Sequence, residues 1–241
     1  MAEERPAGSF ATTQWTVVLS ASRSDPAQAR AALENLCRTY WYPLYAYVRR
    51  RGHSAADAED LTQGFFARLL ELHSLEQVRK EKGRFRSFLL ASLNHYLSDE
   101  WDRASAAKRD VRRTVALNIE QAETRYGREA ADTETAERVF ERQWALTLLE
   151  VVVRRLQKEY DSAGKGALFL ALRFAISGEG KPAGYEELAR RLAMSEAAVR
   201  VAAHRLRARY RKVLREEIAQ TVESEEEAEE ELRDLIRSLE V

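Results

Sequence analysis

The sequence predicts an all-α protein, with two small helical domains joined by a linker and a helix-turn-helix in the second. Three observations predict it. Gly and Pro are scarce, at 10 and 4 of 241 residues, while Arg, Ala, Leu and Glu abound. Apolar residues recur at spacings of three and four along several long stretches. No repeat of fixed period is present, which sets solenoids aside.

Each element has its own local reason. Residues 1–10 read as disordered, and ATTQWTVVLSA, 11–21, is a short apolar element of either type. Ser24 or Asp25 before Pro26 is a helix start, because proline fits a first turn. Leu33, Leu36, Tyr40, Leu44 and Tyr47 then form one stripe, Pro43 should kink or divide the helix, and Gly52 ends it after three arginines. Ser54 caps the next helix, with Asp57 three residues on in a capping-box-like arrangement. Its buried stripe is expected to be Ala58, Leu61, Phe65, Leu69 and Leu72. Residues 84–104 form a third helix, and 105 to about 135 read as a polar linker with fragments of helix. Periodicity resumes in ETAERVFERQWALTLLEVVVRRLQKEYDSAG and stops near Gly164, before a short helix LFLALRFAI. In GYEELARRLAMSEAAVRVAAHRLRARYRKVLREEI, a short helix, the turn AMS and a second helix capped by Ser195 follow one another. The stripe expected on that second helix is Ala198, Val201 or Ala202, Leu206, Tyr210 and Val213. The resulting division is 1–28 extension, 29–105 first domain, 106–137 linker, 138–218 second domain and 219–241 acidic extension.

A net charge of zero conceals an asymmetry. Residues 223–241 hold nine acids and two arginines, leaving 37 bases against 30 acids in the rest, a net of +7. A basic body with an acidic tail points to nucleic acid. No apolar run is long enough for a membrane span, no secretory signal opens the chain, and the lone Cys37 fits a reducing cytoplasm as a small core residue.

Between Arg190 and Arg215 stand nine Arg or Lys residues and His204 against one acid, Glu196. Arginines near phosphates give affinity that falls with salt, and those at the start of a recognition helix can bond guanine edges in the major groove. Helix 84–104 combines Phe85, Phe88, Asn94, His95, Tyr96 and Trp101 behind RKEKGRFR, a mixture suited to stacking on unpaired bases along a single strand. Phe88 and Leu89 read as core. Signals of catalysis are weak. The four histidines show no metal spacing, SAGKGALF lacks the glycine pattern and leading strand of a phosphate loop, and Asp57, Glu59 and Asp60 have no second cluster to complete a metal site. Neither enzyme activity nor a cofactor is expected.

DAEDLTQGFFARLL, 57–70, resembles the second conserved region of the sigma-70 superfamily, especially the small extracytoplasmic-function sigma factors, whose motif has the form D-A-E-D-L-x-Q-x-x-F. GYEELARRLAMSEAAVRVAAHRLRARYRKVL is similar to their fourth region, in the expected order. The resemblance implies an RNA polymerase specificity subunit whose partners are core polymerase and promoter DNA, with an anti-sigma factor as a further kind of regulator. Asp57, Glu59, Asp60, Gln63 and Phe66 would meet the polymerase clamp, with Ala58 and Leu61 at packing positions. Arg84, Arg86, Asn94, His95, Trp101 and Arg103 would meet and melt the −10 element. Ser195, Ala198, Arg200, Val201, His204, Arg205 and Arg207 would read the −35 element.

This chain departs from the family pattern at several points. Gly64 stands where the family has a polar or acidic residue, Asn94-His95 replaces an Arg-Asn pair, and Ala197-Ala198-Val199 replaces Gly-Thr-Val. Ala202 stands where an Arg is customary. The acidic tail lies outside the minimal pattern, and its charge suggests an intrachain brake on the recognition helix. The rival reading is a stand-alone repressor or activator, which would dimerise and bind duplex without polymerase. A metal-dependent enzyme built on residues 57–60 is a more distant one.

Overall fold

The computed structural model describes residues 26–70, 84–106, 119–129, 134–177 and 184–240. The expected element at 11–21, the disordered start at 1–10 and Leu72 lie outside them. The described residues form helices and no strand. In chain order these are α1 (Pro26–Arg50), α2 (Ala55–Leu70), α3 (Phe85–Ala106), α4 (Ile119–Glu129) and α5 (Ala136–Ser162). Then come α6 (Gly166–Leu172), α7 (Phe174–Ser177), α8 (Tyr185–Leu192), α9 (Glu196–Ala219) and α10 (Glu225–Leu239). The chain divides into two compact units, Met1–Thr147 with Ile218–Val241, and Leu148–Glu217.

The first unit is built around α1. Pro43 neither divides nor ends this helix, although an interior proline costs about 3 kcal/mol or more. Burial of Tyr40, Tyr42, Leu44, Tyr45, Tyr47 and Val48 around it outweighs that cost, at ~1.5–3 kcal/mol per large apolar side chain. Tyr40 meets Phe85 of α3 edge-on at 5.1 Å and accepts a hydrogen bond from Trp144 Nε1 of α5 at 3.0 Å. Tyr47 packs edge-on against Phe140 at 6.4 Å. Gly52 ends α1 with a left-handed φ of 95°, a conformation that favours glycine.

α2 packs against α1 and, through Phe65 on Tyr96 at 5.9 Å, against α3. Its buried stripe is Ala58, Thr62, Phe65, Phe66 and Leu69, with Leu61 only partly covered. The expected stripe had Leu61 in place of Thr62. Thr62 tolerates burial because its hydroxyl donates to the Ala58 carbonyl at 2.6 Å. The linker contains a full helix, α4. Its Glu123 takes Arg49 Nε at 2.7 Å and Nη2 at 3.1 Å, while Arg125 lies 4.2 Å over the Tyr42 ring.

The C-terminal segment returns to the first unit. Phe85 N–H, at the start of α3, donates to the Thr221 carbonyl at 3.0 Å, and Val222 and Leu235 are buried. Ser224 caps α10 by accepting from Glu227 N–H at 3.2 Å.

The second unit holds α6 to α9 and the end of α5. Phe169, Leu172, Leu188, Val199, Ala203, Leu206 and Val213 are buried in it. The expected short helix 168–176 is two helices, α6 and α7, separated at Arg173. α8 ends in a left-handed Ala193, φ 50°, and three residues lead to α9, where Ser195 Oγ accepts from Ala198 N–H at 3.2 Å. The α9 stripe is Val199, Ala203, Leu206, Tyr210 and Val213. Ala198 and Ala202 are half-buried and Val201 is exposed, so the stripe begins one residue later than expected and joins the predicted one at Leu206.

Candidate functional site

Three surfaces hold the predicted residues. The first is the N-terminal half of α2. Ser54 Oγ accepts from Asp57 N–H at 3.1 Å and donates to Asp57 Oδ2 at 2.7 Å. Asp57 thus completes the cap through the serine hydroxyl. Asp57 and Asp60 are exposed. Gln63 Nε2 donates to Glu59 Oε1 at 2.9 Å one turn back, which fixes the side-chain amide beside the carboxylate. Phe66 is buried, 5.4 Å from Phe65, and supports this face from within the unit. The result is a rigid, capped turn with two exposed carboxylates and an ordered Glu–Gln pair.

Gly64 lies between these residues for a steric reason. A Cβ there would stand 2.3 Å from the Tyr96 hydroxyl. The position facing α3 is filled by the tyrosine, so the glycine is a close-approach point between two helices.

The second surface is α3. Asn94 Oδ1 accepts from Tyr47 Oη at 2.9 Å and Arg51 Nη1 at 2.8 Å. Since guanidinium only donates, the amide oxygen must face Arg51, and the orientation of the amide follows. His95 is exposed, and Trp101 is 75% exposed, a large aromatic surface left in solvent. The side chain of Arg103 lies outside the described residues.

Arg84 and Arg86 are placed differently from these. Arg84 is paired with Glu230 at 2.5 Å, Glu231 at 3.1 Å and Asp234. Arg86 is buried, 4.3 Å over the Trp144 ring, and spans both oxygens of Glu231 at 3.1 Å and Asp234 at 3.2 Å. Glu231 has no solvent exposure. Burial pushes its carboxyl up from the ordinary range, and the Arg86 and Arg84 guanidiniums pull it back. The acidic tail therefore finds its cations at the start of α3. Tail acidity was evident in the sequence, but nothing in it marks Arg84 and Arg86 as the partners across about 145 residues.

The third surface is α9. Arg200, Val201, His204 and Arg205 are exposed, as is Ser195, and Ala198 is half-buried. Arg200 pairs with Glu196 at 2.5 Å and lies 5.0 Å over the Tyr185 ring, so its charge is shared with α8. Arg207 turns inward, its Nε donating to the Ala175 carbonyl at 3.1 Å. Arg209 is held by Glu159 at 2.6 Å, and Arg209 holds Glu159 below the ordinary carboxylate range. The exposed α9 face is thus basic at its start, as its sequence suggests, but several of its arginines are structural.

Among the described residues no three His, Cys, Asp or Glu side chains converge on a metal-sized site, and no helix is long and apolar enough to cross a membrane. Burial pushes the Cys37 thiol far up, so it is a poor nucleophile.

Residues 36–107, from the middle of α1 through α3, match the protein family described as Sigma-70 region 2. No curated protein and no solved structure matches the chain. The match contains the α2 face and the α3 surface, but neither α9 nor α10.

Proposed function

The chain belongs to the sigma-70 family through its region 2, residues 36–107, and from that premise we propose that it docks on core RNA polymerase and directs it to specific promoters. The family is one of transcription initiation factors, and its region 2 binds core polymerase and promoter DNA. The observation that carries the reading is the α2 face, where Asp57, Glu59, Asp60 and Gln63 stand together on a capped turn inside the matched region. Acids at a helix start suit its dipole by ~0.3–1 kcal/mol each, but that leaves Gln63 and its ordered pairing unaccounted for. Polymerase contact accounts for both.

In this reading α3 meets the −10 element. Exposed Trp101 and His95 offer stacking surfaces to unpaired bases, and Asn94 presents donors, because Tyr47 and Arg51 occupy its acceptor. Unstacking costs a few kcal/mol per extruded base, offset by binding. The α8–turn–α9 segment serves as a helix-turn-helix for the −35 element, with Arg200, His204 and Arg205 exposed for the groove and Ser195 capping the helix. Arg207 supports that helix from behind. The small size and the D-A-E-D-L-T-Q motif favour the extracytoplasmic-function type, acting in the cytoplasm. Two modest DNA contacts and one protein contact would act as a multivalent unit, and no bond chemistry is asked of this chain.

Run-off transcription with purified bacterial core polymerase tests this. Promoter-specific transcripts are expected from the intact protein and should vanish with Asp60→Ala, Gln63→Ala while helical content is retained. Absence of polymerase binding, together with tight duplex binding by a dimer, would instead establish a stand-alone repressor.

A further inference from the structure

The carboxylates of α10 occupy the guanidiniums at the entrance to α3. We propose that α10 is an autoinhibitory helix, whose carboxylates hold Arg84 and Arg86 in place of the phosphates of single-stranded promoter DNA. The inference rests on the reading in which α3 meets that strand.

Four observations carry it. The first is the completeness of the pairing. Arg84 takes Glu230, Glu231 and Asp234, all on α10, and Arg86 takes Glu231 and Asp234 there besides Glu141 of α5 at 3.5 Å. Guanidinium binds carboxylate and phosphate oxygens with the same fork, so one can stand in for the other. The second is separability. Ser224 caps α10 from within its own segment, while the Phe85 N–H to Thr221 carbonyl bond lies before it. The helix can lift about residues 223–224 while that anchor stays in place, at the cost of exposing Leu235 and losing the Arg138 Nη2 bond to the Glu240 carbonyl at 3.0 Å. The third is the strength of the hold. Glu231 is fully desolvated, and the penalty for burying its charge cancels much of what its ion pairs return. A latch held this way yields to a competitor that brings its own anions. The fourth is the outward face. Glu225, Glu226, Glu229 and Glu230 are exposed along α10, a negative field that repels nucleic acid approaching Arg84.

The test uses the full chain and a fluorescent single-stranded oligonucleotide of mixed sequence, with anisotropy read at several salt concentrations. Glu230→Gln with Asp234→Asn loosens the latch and leaves buried Glu231 in place. This variant is expected to bind about fivefold more tightly or better, with a log–log salt slope steeper by ~0.7 for each phosphate gained. Adding Arg84→Gln should return affinity and slope to the wild-type values. Should the double variant melt below the assay temperature, Asp234→Asn alone gives the same comparison with a smaller gain. Unchanged affinity and slope in a folded variant would overturn the proposal, as would a gain that survives Arg84→Gln, which would reflect net charge alone. Unchanged DNA binding beside intact polymerase-dependent transcription sinks the latch only. Loss of transcription in wild type and variants alike overturns the parent reading and the latch together.

Discussion

Gly64 sets two opposing effects against each other at one residue. Mid-helix glycine costs about 1 kcal/mol relative to alanine. An alanine Cβ would press on the Tyr96 hydroxyl, which must then move. Gly64→Ala is therefore expected to return much less than that 1 kcal/mol in wild type, and nearly all of it in the Tyr96→Phe background, so urea denaturation of the four proteins should give a positive coupling. Glu123 supplies a pH-dependent counterpart. The Arg49 guanidinium holds its carboxyl below the usual range. The folded state then binds fewer protons than the unfolded chain, so this stabilisation is present above the ordinary carboxylate value of about 4.3 and is lost as pH falls through it and then through the lowered folded value. Denaturation midpoints of wild type and Glu123→Gln should differ most near neutrality and converge below about pH 4. A constant offset across that range would contradict this account.

α9 decides how an element turns its faces. Leu206 is fully buried and Val201 is 49% exposed. Leu206→Ala should cost ~2–5 kcal/mol, whereas Val201→Ala should stay within about 0.5 kcal/mol, both by thermal or chemical denaturation. Equal losses would return the stripe to the phase expected from the sequence. That difference shows what is legible before a structure is known. Periodicity fixed the existence of α9, but its stretch is rich in alanine and arginine, and small side chains leave the start of the stripe ambiguous by a residue. Leu61 and Thr62 present the same ambiguity on α2, where a hydroxyl that bonds its own helix passes for apolar. Caps were better marked, because Ser54, Ser195 and Gly52 act through local backbone chemistry. The polar and aromatic composition of α3 was visible, yet the holding of Asn94 by Tyr47 and Arg51 joins different helices and leaves no sequence signal. Helix α4 was read only as fragments of helix in a linker, and the contacts of Glu123 and Arg125 with α1 that help dock it join distant residues and leave no sequence signal.

At the scale of the molecule, the first unit is discontinuous, made of residues before Leu148 and after Glu217. Calorimetry should resolve two transitions, one for each unit. Deleting residues 223–241 removes Leu235 and the carboxylates on Arg84 and Arg86, so it should lower the transition of the first unit and leave that of Leu148–Glu217 in place. A single transition, shifted as a whole, would mean that the units melt as one. The discontinuity also has a consequence in time. Arg86 and Glu231 are 145 residues apart. At ~5–20 residues per second, a ribosome releases the one roughly 7–30 s before the other. Throughout that interval Arg84 lacks its α10 carboxylates, Arg86 has only Trp144 and Glu141 of α5, and the Phe85 N–H lacks the Thr221 carbonyl. Order of synthesis thus makes the open form the earlier one, and closure a late event in the life of each molecule.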